Sequence, residues 1–453
     1  MNKILINGDM LEELNKLEEN SVDAIITDPP YELNFMNKGW DNAGISFQKS
    51  TWEKCIRVLK PGGYLLAFGG SRTFHRIACA IEDAGFEIRD IVMWIYGSGF
   101  PKSMNIGIAI DKRLGVESDF GGIKLGHEDF VGRDTAGHMD YSTADGGFHR
   151  PWMEDEEKRE EYHYEKIPMY DVGKRFKGYG TSLKPSYEPV IMARKPLMGT
   201  VADNAIEWGV GGINIDECRI PYEDTANPAT NPLYRIQNGY KIGYGVDSDA
   251  SAYALKKESG EMNINMSGRF PANVVLTYDD SDYDEVCGNF PSSVGSKSQN
   301  VYTTSSKYGG NSLLSSSTKR FSYQCGYNDE GSASRYFYCA KASKRDRDSG
   351  VKIGKNIHPT VKPVSLMQYL VRLVAPKGAV ILDPFMGSGS TGKAVAYENN
   401  DRNANYSFIG IELQKEYFEI AEQRITFAEK DKTRLNDTIV SKTNTEKRSN
   451  KLF

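Results

Sequence analysis

The sequence predicts an α/β fold with a mostly parallel sheet, divided between the two ends of the chain. Apolar strands alternate with helices over the first hundred of the 453 residues, and the same alternation returns after Pro363. A turn rich in Gly, Pro or Asp follows each of the early strands, which is typical of the carboxyl edge of a parallel sheet. We therefore expect functional side chains to collect along that edge.

The first half of the predicted core occupies residues 1–96. Its strands are expected at 3–6, 22–26, 64–68 and 86–94, with helices near 10–17, near 52–59 and ending at 84. The second half is expected at residues 356–428. It begins with an amphipathic helix at 364–374, followed by a strand at 379–382, a glycine turn, a second helix and a strand at 407–411.

Two irregular stretches separate these halves. Residues 97–184 are predicted to be an insertion, and residues 185–196 a further core strand. Residues 197–355 contain only short apolar segments, at 272–276 and 336–339. Irregular stretches of this length are usually functional or disordered. Residues 429–453 are expected to form a solvated, disordered tail.

The composition narrows the class of protein. No apolar run reaches the ~20 residues of a membrane-spanning helix, and the first residues lack the apolar region of an export signal, so we expect a soluble, cytoplasmic protein. The six cysteines form no C-x-x-C pair, and with the six histidines they show no zinc-type spacing. Reduced, mostly buried thiols and no bound metal are expected. The net charge of −5 argues mildly against a nucleic-acid partner, although it does not exclude local basic patches.

The first candidate motif is Asp28-Pro29-Pro30-Tyr31, directly after an apolar strand. A carboxylate and a neighbouring backbone carbonyl can accept both N–H bonds of an aromatic amine and turn its lone pair towards an electrophile. Asp28 and the Pro29 carbonyl would do this, the prolines would fix the turn, and Tyr31 offers a face on which an extruded base could stack. Alone, these four residues could equally be an ordinary strand-ending turn.

The second motif is a glycine turn between a strand and a helix. It contains Asp383, Pro384, Phe385, Gly387, Gly389 and Thr391. The two glycines allow a ligand to approach the backbone closely, and the aromatic ring can line an adenine pocket. The spacing departs from the Gly-x-Gly-x-x-Gly of pyrophosphate-binding enzymes, which disfavours a nicotinamide cofactor. Glu412 ends the next strand, where a carboxylate can accept hydrogen bonds from two ribose hydroxyls.

A third motif, His358-Pro359-Thr360-Val361-Lys362-Pro363, precedes the helix that leads into the glycine turn. Its hydroxyl and ammonium groups suit an amino-acid carboxylate, although the segment could also be only a capped helix start.

Together these motifs resemble the amino-specific DNA methyltransferases of the β arrangement, in which Asp-Pro-Pro-Tyr precedes the cofactor motif. The resemblance covers residues 1–96 and 356–425, with a weaker similarity at 186–194, and residues 358–363 match the family's His-Pro-Thr-x-Lys-Pro letter for letter. It implies a Rossmann-like S-adenosylmethionine-dependent methyltransferase fold, circularly permuted, with an inserted target-recognition region. Residues 197–355 would then recognise the target, and residues 97–184 could supply further DNA contacts.

The resemblance also implies a role for each motif residue. The catalytic residues would be Asp28, Pro29, Pro30 and Tyr31. The residues binding S-adenosylmethionine would be Asp9, His358, Thr360, Lys362, Asp383, Pro384, Phe385, Gly387, Gly389, Thr391 and Glu412. In the family, Glu412 would hold the ribose, and the acid of the Gly8-Asp9 pair would lie against the cofactor adenine. A surface turn is the alternative interpretation of Gly8-Asp9.

The implied reaction is methylation of the N6 amine of adenine in double-stranded DNA, after the base has been flipped out. Methylation of the N4 amine of cytosine is the nearest alternative because its chemistry is the same; Asp28 favours adenine, since cytosine enzymes more often begin the motif with serine. RNA or protein-amide methylation is a further alternative, disfavoured by the motif order. A non-catalytic relative would be expected to have lost a motif, and all are intact. A restriction-modification role and the oligomeric state, including a homodimer, are left open.

Overall fold

The structure is a computed structural model of the chain. It describes residues 1–33, 44–96, 103–123, 161, 164–220, 270–277, 344–352 and 354–431, together with five two-residue strands between 292 and 338. None of the helices in these ranges combines the length and the apolar character that a membrane crossing requires. The chain packs as two units, a core unit of residues 1–98 and 187–453 and an insert unit of residues 99–186.

Strands and helices alternate at the start of the core unit, as predicted. Their bounds are β1 (Lys3–Asn7), α1 (Met10–Glu13), β2 (Val22–Thr27), α2 (Lys49–Val58), β3 (Leu59–Phe68), α3 (Phe74–Asp83) and β4 (Glu87–Tyr96). All six residues of β2 are buried, and its apolar run, residues 24–26, lies between the buried polar residues Asp23 and Thr27. β3 starts five residues before the predicted position because Leu59 already pairs with Val22 of β2, ahead of a bulge.

In the described residues of the insert unit, 103–123, 161 and 164–186, two short helices and a two-stranded antiparallel ribbon are present. Its elements are α4 (Ile106–Leu114), β5 (Asp119–Ile123), β6 (Tyr164–Ile167) and α5 (Asp171–Arg175). The buried carboxylate of Asp111 accepts hydrogen bonds from the backbone amides of Met169, at 2.7 Å, and Tyr170, at 3.1 Å. These bonds tie α4 to the segment that precedes α5.

The rest of the core unit contains the second half of the sheet. Its elements are β7 (Tyr187–Arg194), α6 (Val201–Trp208), β8 (Val274–Thr277), β9 (Ser292–Ser293), β10 (Gln299–Asn300), β11 (Tyr323–Gln324), β12 (Gly331–Ser332), β13 (Phe337–Tyr338), α7 (Lys344–Asp348), α8 (Val364–Val374), β14 (Val380–Asp383), α9 (Ser390–Arg402), β15 (Ser407–Glu412) and α10 (Lys415–Lys430). Helix α8 has the predicted bounds. Apart from its first three residues, the predicted tail lies outside the described residues.

The main sheet has nine strands in the order β1-β15-β14-β2-β3-β7-β4-β8-β13. All neighbouring pairs are parallel except those of β7, which runs antiparallel to both β3 and β4. One hydrophobic core lies under helices α8, α9 and α10, and the other lies under α1, α2 and α3. Strands from both ends of the chain are interleaved in the sheet, since β15 and β14 lie between β1 and β2. The predicted Rossmann-like α/β fold, split between the chain ends, is confirmed.

The strand registers bring the sequence motifs to one edge of the sheet. Leu382 of β14 lies beside Ile25 of β2, so the turns that follow these two strands are neighbours. On the other side, Asp383 pairs with Gly410 of β15, which ends at Glu412. Because β7 is antiparallel, its start, rather than its end, lies at this carboxyl edge.

Candidate active site

The turn after β2 is fixed by hydrogen bonds from several parts of the core unit. Two prolines follow Asp28, and Glu32 adopts a left-handed backbone conformation with φ of +55°. The Glu32 carboxylate accepts a hydrogen bond from the Gly44 amide at 2.7 Å. The Thr73 hydroxyl donates to the Tyr31 carbonyl at 2.8 Å. These contacts hold Asp28 and Tyr31 in a defined geometry at the sheet edge.

The two oxygens of the Asp28 carboxylate have different surroundings. Oδ2 accepts a hydrogen bond from the Lys362 ammonium at 2.7 Å. Oδ1 is buried and has no hydrogen-bond partner within the described part of the chain. A buried acceptor without a partner costs about 1–3 kcal/mol and is uncommon away from functional sites. Within the described residues, Oδ1 therefore has lone pairs that no donor uses and to which an N–H group of a ligand could donate; we call it the open oxygen of Asp28, meaning unpaired and not solvent-exposed.

Tyr31 is held as a neutral phenol beside Asp28. Its hydroxyl donates to Oε2 of Glu188 at 2.7 Å and accepts from the Lys362 ammonium at 3.1 Å. Burial raises the pKa of Tyr31 well above its ordinary value, and the negative charges of Asp28 and Glu188 raise it further. The ring thus has a fixed orientation and an uncharged face.

Lys362 connects the Asp28 turn to strand β7. Its ammonium lies within 3.3 Å of three oxygens, those of Asp28, Tyr31 and Glu188, which matches its three N–H donors. Burial favours the neutral amine, but the carboxylates of Asp28 and Glu188 outweigh it, and the pKa of Lys362 lies above its ordinary value. The ammonium also lies 4.9 Å from the ring centroid of Phe68. The predicted role of Lys362 towards a cofactor carboxylate stays a prediction.

Sequence reasoning did not assign a role to Glu188. Its carboxylate accepts from Tyr31 and, at 3.2 Å, from the hydroxyl of Tyr96. The available signal was an acidic residue directly before a proline at the start of an apolar strand, within the weakly similar segment 186–194. The antiparallel direction of β7, which carries Glu188 to the site edge, could not be read from that pattern.

The turn between β14 and α9 needs its glycines. Gly387 and Gly389 have φ of +53° and +78°, in the left-handed region. A Cβ on Gly387 would lie 2.9 Å from Nε2 of His358, and a Cβ on Gly389 would lie 3.0 Å from Cα of Ala421. Burial lowers the pKa of His358 to about 4, so its ring is neutral at pH 7. The glycines therefore serve both the turn geometry and the close packing of its neighbours.

Asp383 anchors the same turn from inside. Its carboxylate accepts hydrogen bonds from the hydroxyls of Thr27, at 2.7 Å, and Thr391, at 2.6 Å, and from the amide of Phe385. Burial raises the pKa of Asp383 to about 6. Pro384 is buried, whereas Phe385 is partly buried and packs against the core under α1, α2 and α3.

Glu412 faces the glycine turn from the end of β15. Its Oε2 accepts from the Gly387 amide at 2.8 Å, and its Oε1 accepts from the Gln414 amide at 2.7 Å. Burial raises the pKa of Glu412 to about 7. Each oxygen accepts one of these hydrogen bonds and retains a lone pair that could accept another. Nearby, the Gly8 amide donates to the Glu412 carbonyl, and Asp9 caps α1 by accepting from the Leu11 amide at 2.8 Å.

The motif at residues 358–363 joins the glycine turn between β14 and α9 to the Asp28 turn after β2. At one end, His358 packs beside Gly387, and its Nδ1 lies 2.7 Å from the Thr360 carbonyl. At the other end, Lys362 binds Asp28. In the described ranges, no group of three His, Cys, Asp or Glu is arranged to hold a metal ion, and the described cysteines are free thiols, with Cys79 exposed and the others buried.

Two curated relatives match short parts of the chain. The type II methyltransferase M.HpaI of Haemophilus parainfluenzae is 36% identical over 110 residues, which cover 23% of this chain and 35% of that protein. The type II methyltransferase M2.LlaDCHI of Lactococcus lactis subsp. cremoris is 32% identical over 113 residues, covering 20% of this chain and 41% of that protein. The chain thus matches between a third and about two fifths of the length of these relatives.

Solved structures resemble the chain only loosely. A DNA modification methylase of Thermus thermophilus, TTHA0409, complexed with S-adenosyl-L-methionine, is 14% identical with a TM-score of 0.37, and covers 94% of each chain. The cytosine-N4-specific PvuII DNA methyltransferase is 13% identical with a TM-score of 0.39, over 94% of this chain and 86% of that one. The family assignment rests instead on the sequence model of the N6/N4 DNA methylases, which matches residues 22–115 and 182–423. This match covers more than half of the chain and spans Asp28, Lys362, Asp383 and Glu412, so the chain belongs to the N6/N4 DNA methylase family.

Proposed function

We propose that this protein transfers a methyl group from S-adenosylmethionine to the N6 amine of adenine in double-stranded DNA. The observation that carries the proposal is the open, buried Oδ1 of Asp28, beside the fixed ring of Tyr31 at the carboxyl edge of the sheet. An acceptor in that position suits an amine that must be held and turned before it can react.

The chain supplies binding and orientation for the target base. An exocyclic amine is a poor nucleophile because its lone pair is delocalised into the ring. When Asp28 Oδ1 and the Pro29 carbonyl accept its two N–H bonds, the lone pair is turned out of the ring plane. Stacking on Tyr31 adds about 1–3 kcal/mol, which offsets part of the few kcal/mol that base flipping costs.

The residues around the glycine turn fit S-adenosylmethionine. Gly387 and Gly389 leave room for close approach to the backbone, and Glu412 has capacity to accept hydrogen bonds from ribose hydroxyls. Phe385, partly buried, and Asp9 would border the adenine. When bound, the cofactor supplies a methyl group made electrophilic by a positively charged sulfur.

Adenine is proposed over cytosine because the motif begins with Asp28 rather than serine. Incubation with methyl-labelled S-adenosylmethionine and unmethylated double-stranded DNA, followed by nucleoside analysis, tests this proposal. Labelled N6-methyladenine is the expected product. N4-methylcytosine would replace adenine with cytosine as the target, and label in RNA or protein but not in DNA would refute the proposal.

We also propose that the insert unit contacts DNA through residues 174–184, which comprise the end of α5 and the loop that follows it and which we call the basic-aromatic loop. This segment contains four Lys or Arg residues and no acidic residue. Arg175 and Lys177 are exposed and have no ion-pair partner among the described residues, and Tyr179 is 60% exposed. The Tyr179 carbonyl accepts from the Ile106 amide at 3.1 Å, so the loop is held in place. Cations beside an exposed aromatic ring suit phosphates and unpaired bases.

A further inference from the structure

A compact charged cluster lies behind the open oxygen of Asp28. It consists of Asp28, Lys362 and Glu188, with the Tyr31 hydroxyl among them, and we call it the Asp28 cluster. The Lys362 ammonium is 2.7 Å from the Asp28 carboxylate and 3.3 Å from the Glu188 carboxylate. The side chain of Lys362 is 7% exposed, and those of both acids are 21% exposed. Charges this poorly hydrated interact strongly with one another and with a bound ligand.

The net charge of the Asp28 cluster depends on Glu188. Two carboxylates and one ammonium leave a single negative charge. Without Glu188, the ammonium would neutralise Asp28, and the cluster would have no net charge. A lone ion pair would still hold Asp28 in place, but its field at the open oxygen would be much weaker.

The proposed reaction needs that negative charge. The lone pair of the amine forms the new N–C bond while the S–C bond breaks and leaves its electron pair on sulfur. Positive charge thereby moves onto the amine nitrogen, which becomes neutral again when one of its protons leaves for solvent. A negative group that is already oriented towards this nitrogen stabilises the transition state more than the neutral starting amine.

We propose that Glu188 is a positioning residue for methyl transfer. It balances the charge of Lys362, so that the ammonium fixes the Asp28 carboxylate without cancelling its negative charge. It also fixes the Tyr31 ring by accepting the hydrogen bond from its hydroxyl at 2.7 Å. This inference rests on the proposed function, and it assigns a part in the reaction to a residue on β7, far in sequence from each motif.

A double-mutant cycle in the full chain tests the inference. Glu188→Gln should lower kcat about tenfold or more, with the KM for S-adenosylmethionine unchanged, because the charge is lost while the glycine turn is intact. Lys362→Met should also lower kcat, because Asp28 loses its anchor. The double variant, Glu188→Gln with Lys362→Met, restores the single negative charge, so its kcat should exceed that of Glu188→Gln alone.

Two further variants separate a role in the reaction from a role in folding. Glu188→Asp keeps the charge and should retain more activity than Glu188→Gln, even where both lower the thermal unfolding midpoint. Glu87→Gln is the matched control: Glu87 pairs with Arg194, at 2.6 Å, at the opposite end of β7. Breaking that pair should leave kcat unchanged.

The outcomes distinguish this inference from the proposed function. Suppose that the wild-type chain methylates DNA. If Glu188→Gln then has the wild-type kcat, or if the double variant is as slow as the product of the two single effects, the inference about Glu188 is overturned while the proposed function stands. If the wild-type chain transfers no methyl group to DNA, the proposed function fails and the inference fails with it.

Discussion

Burial brings the pKa of Glu412, at the end of β15, close to neutral pH. Burial raises its pKa from the ordinary 4.5 to about 7. Between these two pH values the folded protein therefore retains a proton that the unfolded chain has already lost. The stabilising contribution of this protonation is fully present below about pH 4.5. It is lost as the pH rises through about 7.

Glu412→Gln should therefore change how stability depends on pH. Relative to this variant, the wild type should lose about 3 kcal/mol of unfolding free energy between pH 4.5 and pH 8. Urea unfolding of both proteins at a series of pH values measures the difference. Comparing the two isolates Glu412 from Asp383, whose pKa of about 6 lies in the same range. A difference that is independent of pH would contradict this account of Glu412.

At the residue scale, the sequence identified the motif positions but not all of their partners. Asp28 and Tyr31 belong to one four-residue motif that directly follows an apolar strand, so their placement at the sheet edge could be predicted. Glu188 lies 157 positions from Tyr31 and meets it only through the folded sheet. Lys362 was predicted to face a cofactor carboxylate, and its contact with Asp28 joins groups 334 positions apart. Side-chain pairing over such separations depends on strand order, which local patterns do not specify.

The glycine turn between β14 and α9 is an element in which an added methyl group should be costly. Gly389→Ala should lower the unfolding free energy by about 2 kcal/mol or more, because a left-handed conformation costs an L-residue roughly 1–2 kcal/mol and the new Cβ would press on Ala421. Gly212→Ala is the matched control, since its Cβ would have open space and its φ is not left-handed. Chemical denaturation of both variants gives the comparison, and equal effects would contradict the turn's role.

The basic-aromatic loop is the element through which we propose that the insert unit binds DNA. Arg175→Ala with Lys177→Ala should weaken DNA binding for all sequences alike and should reduce the slope of log affinity against log salt by about 0.9 for each lost phosphate contact. Lys415→Ala is the control, because Lys415 is exposed on α10 and pairs within that helix with Glu419. A salt slope that is unchanged in the double variant would remove this loop from the DNA interface.

Element bounds were predictable where the pattern is local. Helix α8 combines an amphipathic repeat with a preceding proline, and its predicted bounds are confirmed. Strand β7 was predicted as a core strand from its apolar run, but its direction was not, because a buried strand reads the same in parallel and antiparallel sheets. That direction decides which end of β7 reaches the site.

At the scale of the whole molecule, the site depends on the interleaving of the two chain ends. β14 and β15 lie between β1 and β2, which puts the Asp28 turn beside the glycine turn although their motifs lie 355 positions apart. The sequence could predict that the two motifs meet, because both halves show strands ending in reactive turns and neither half alone forms a complete sheet. It did not specify that β14 and β15 would lie between β1 and β2. We propose that Asp28, in one half, acts on a base while Glu412, in the other, holds the cofactor.

The most direct test is single-turnover methyl transfer by wild type and Asp28→Ala at saturating DNA and S-adenosylmethionine, with the cofactor Kd measured on the same samples. We expect the rate to fall by about 10²–10³-fold or more, since an oriented acceptor at the reacting nitrogen is lost, while the cofactor Kd stays within about twofold. A rate within tenfold of wild type, or a loss of cofactor binding that accounts for the whole effect, would contradict the proposal.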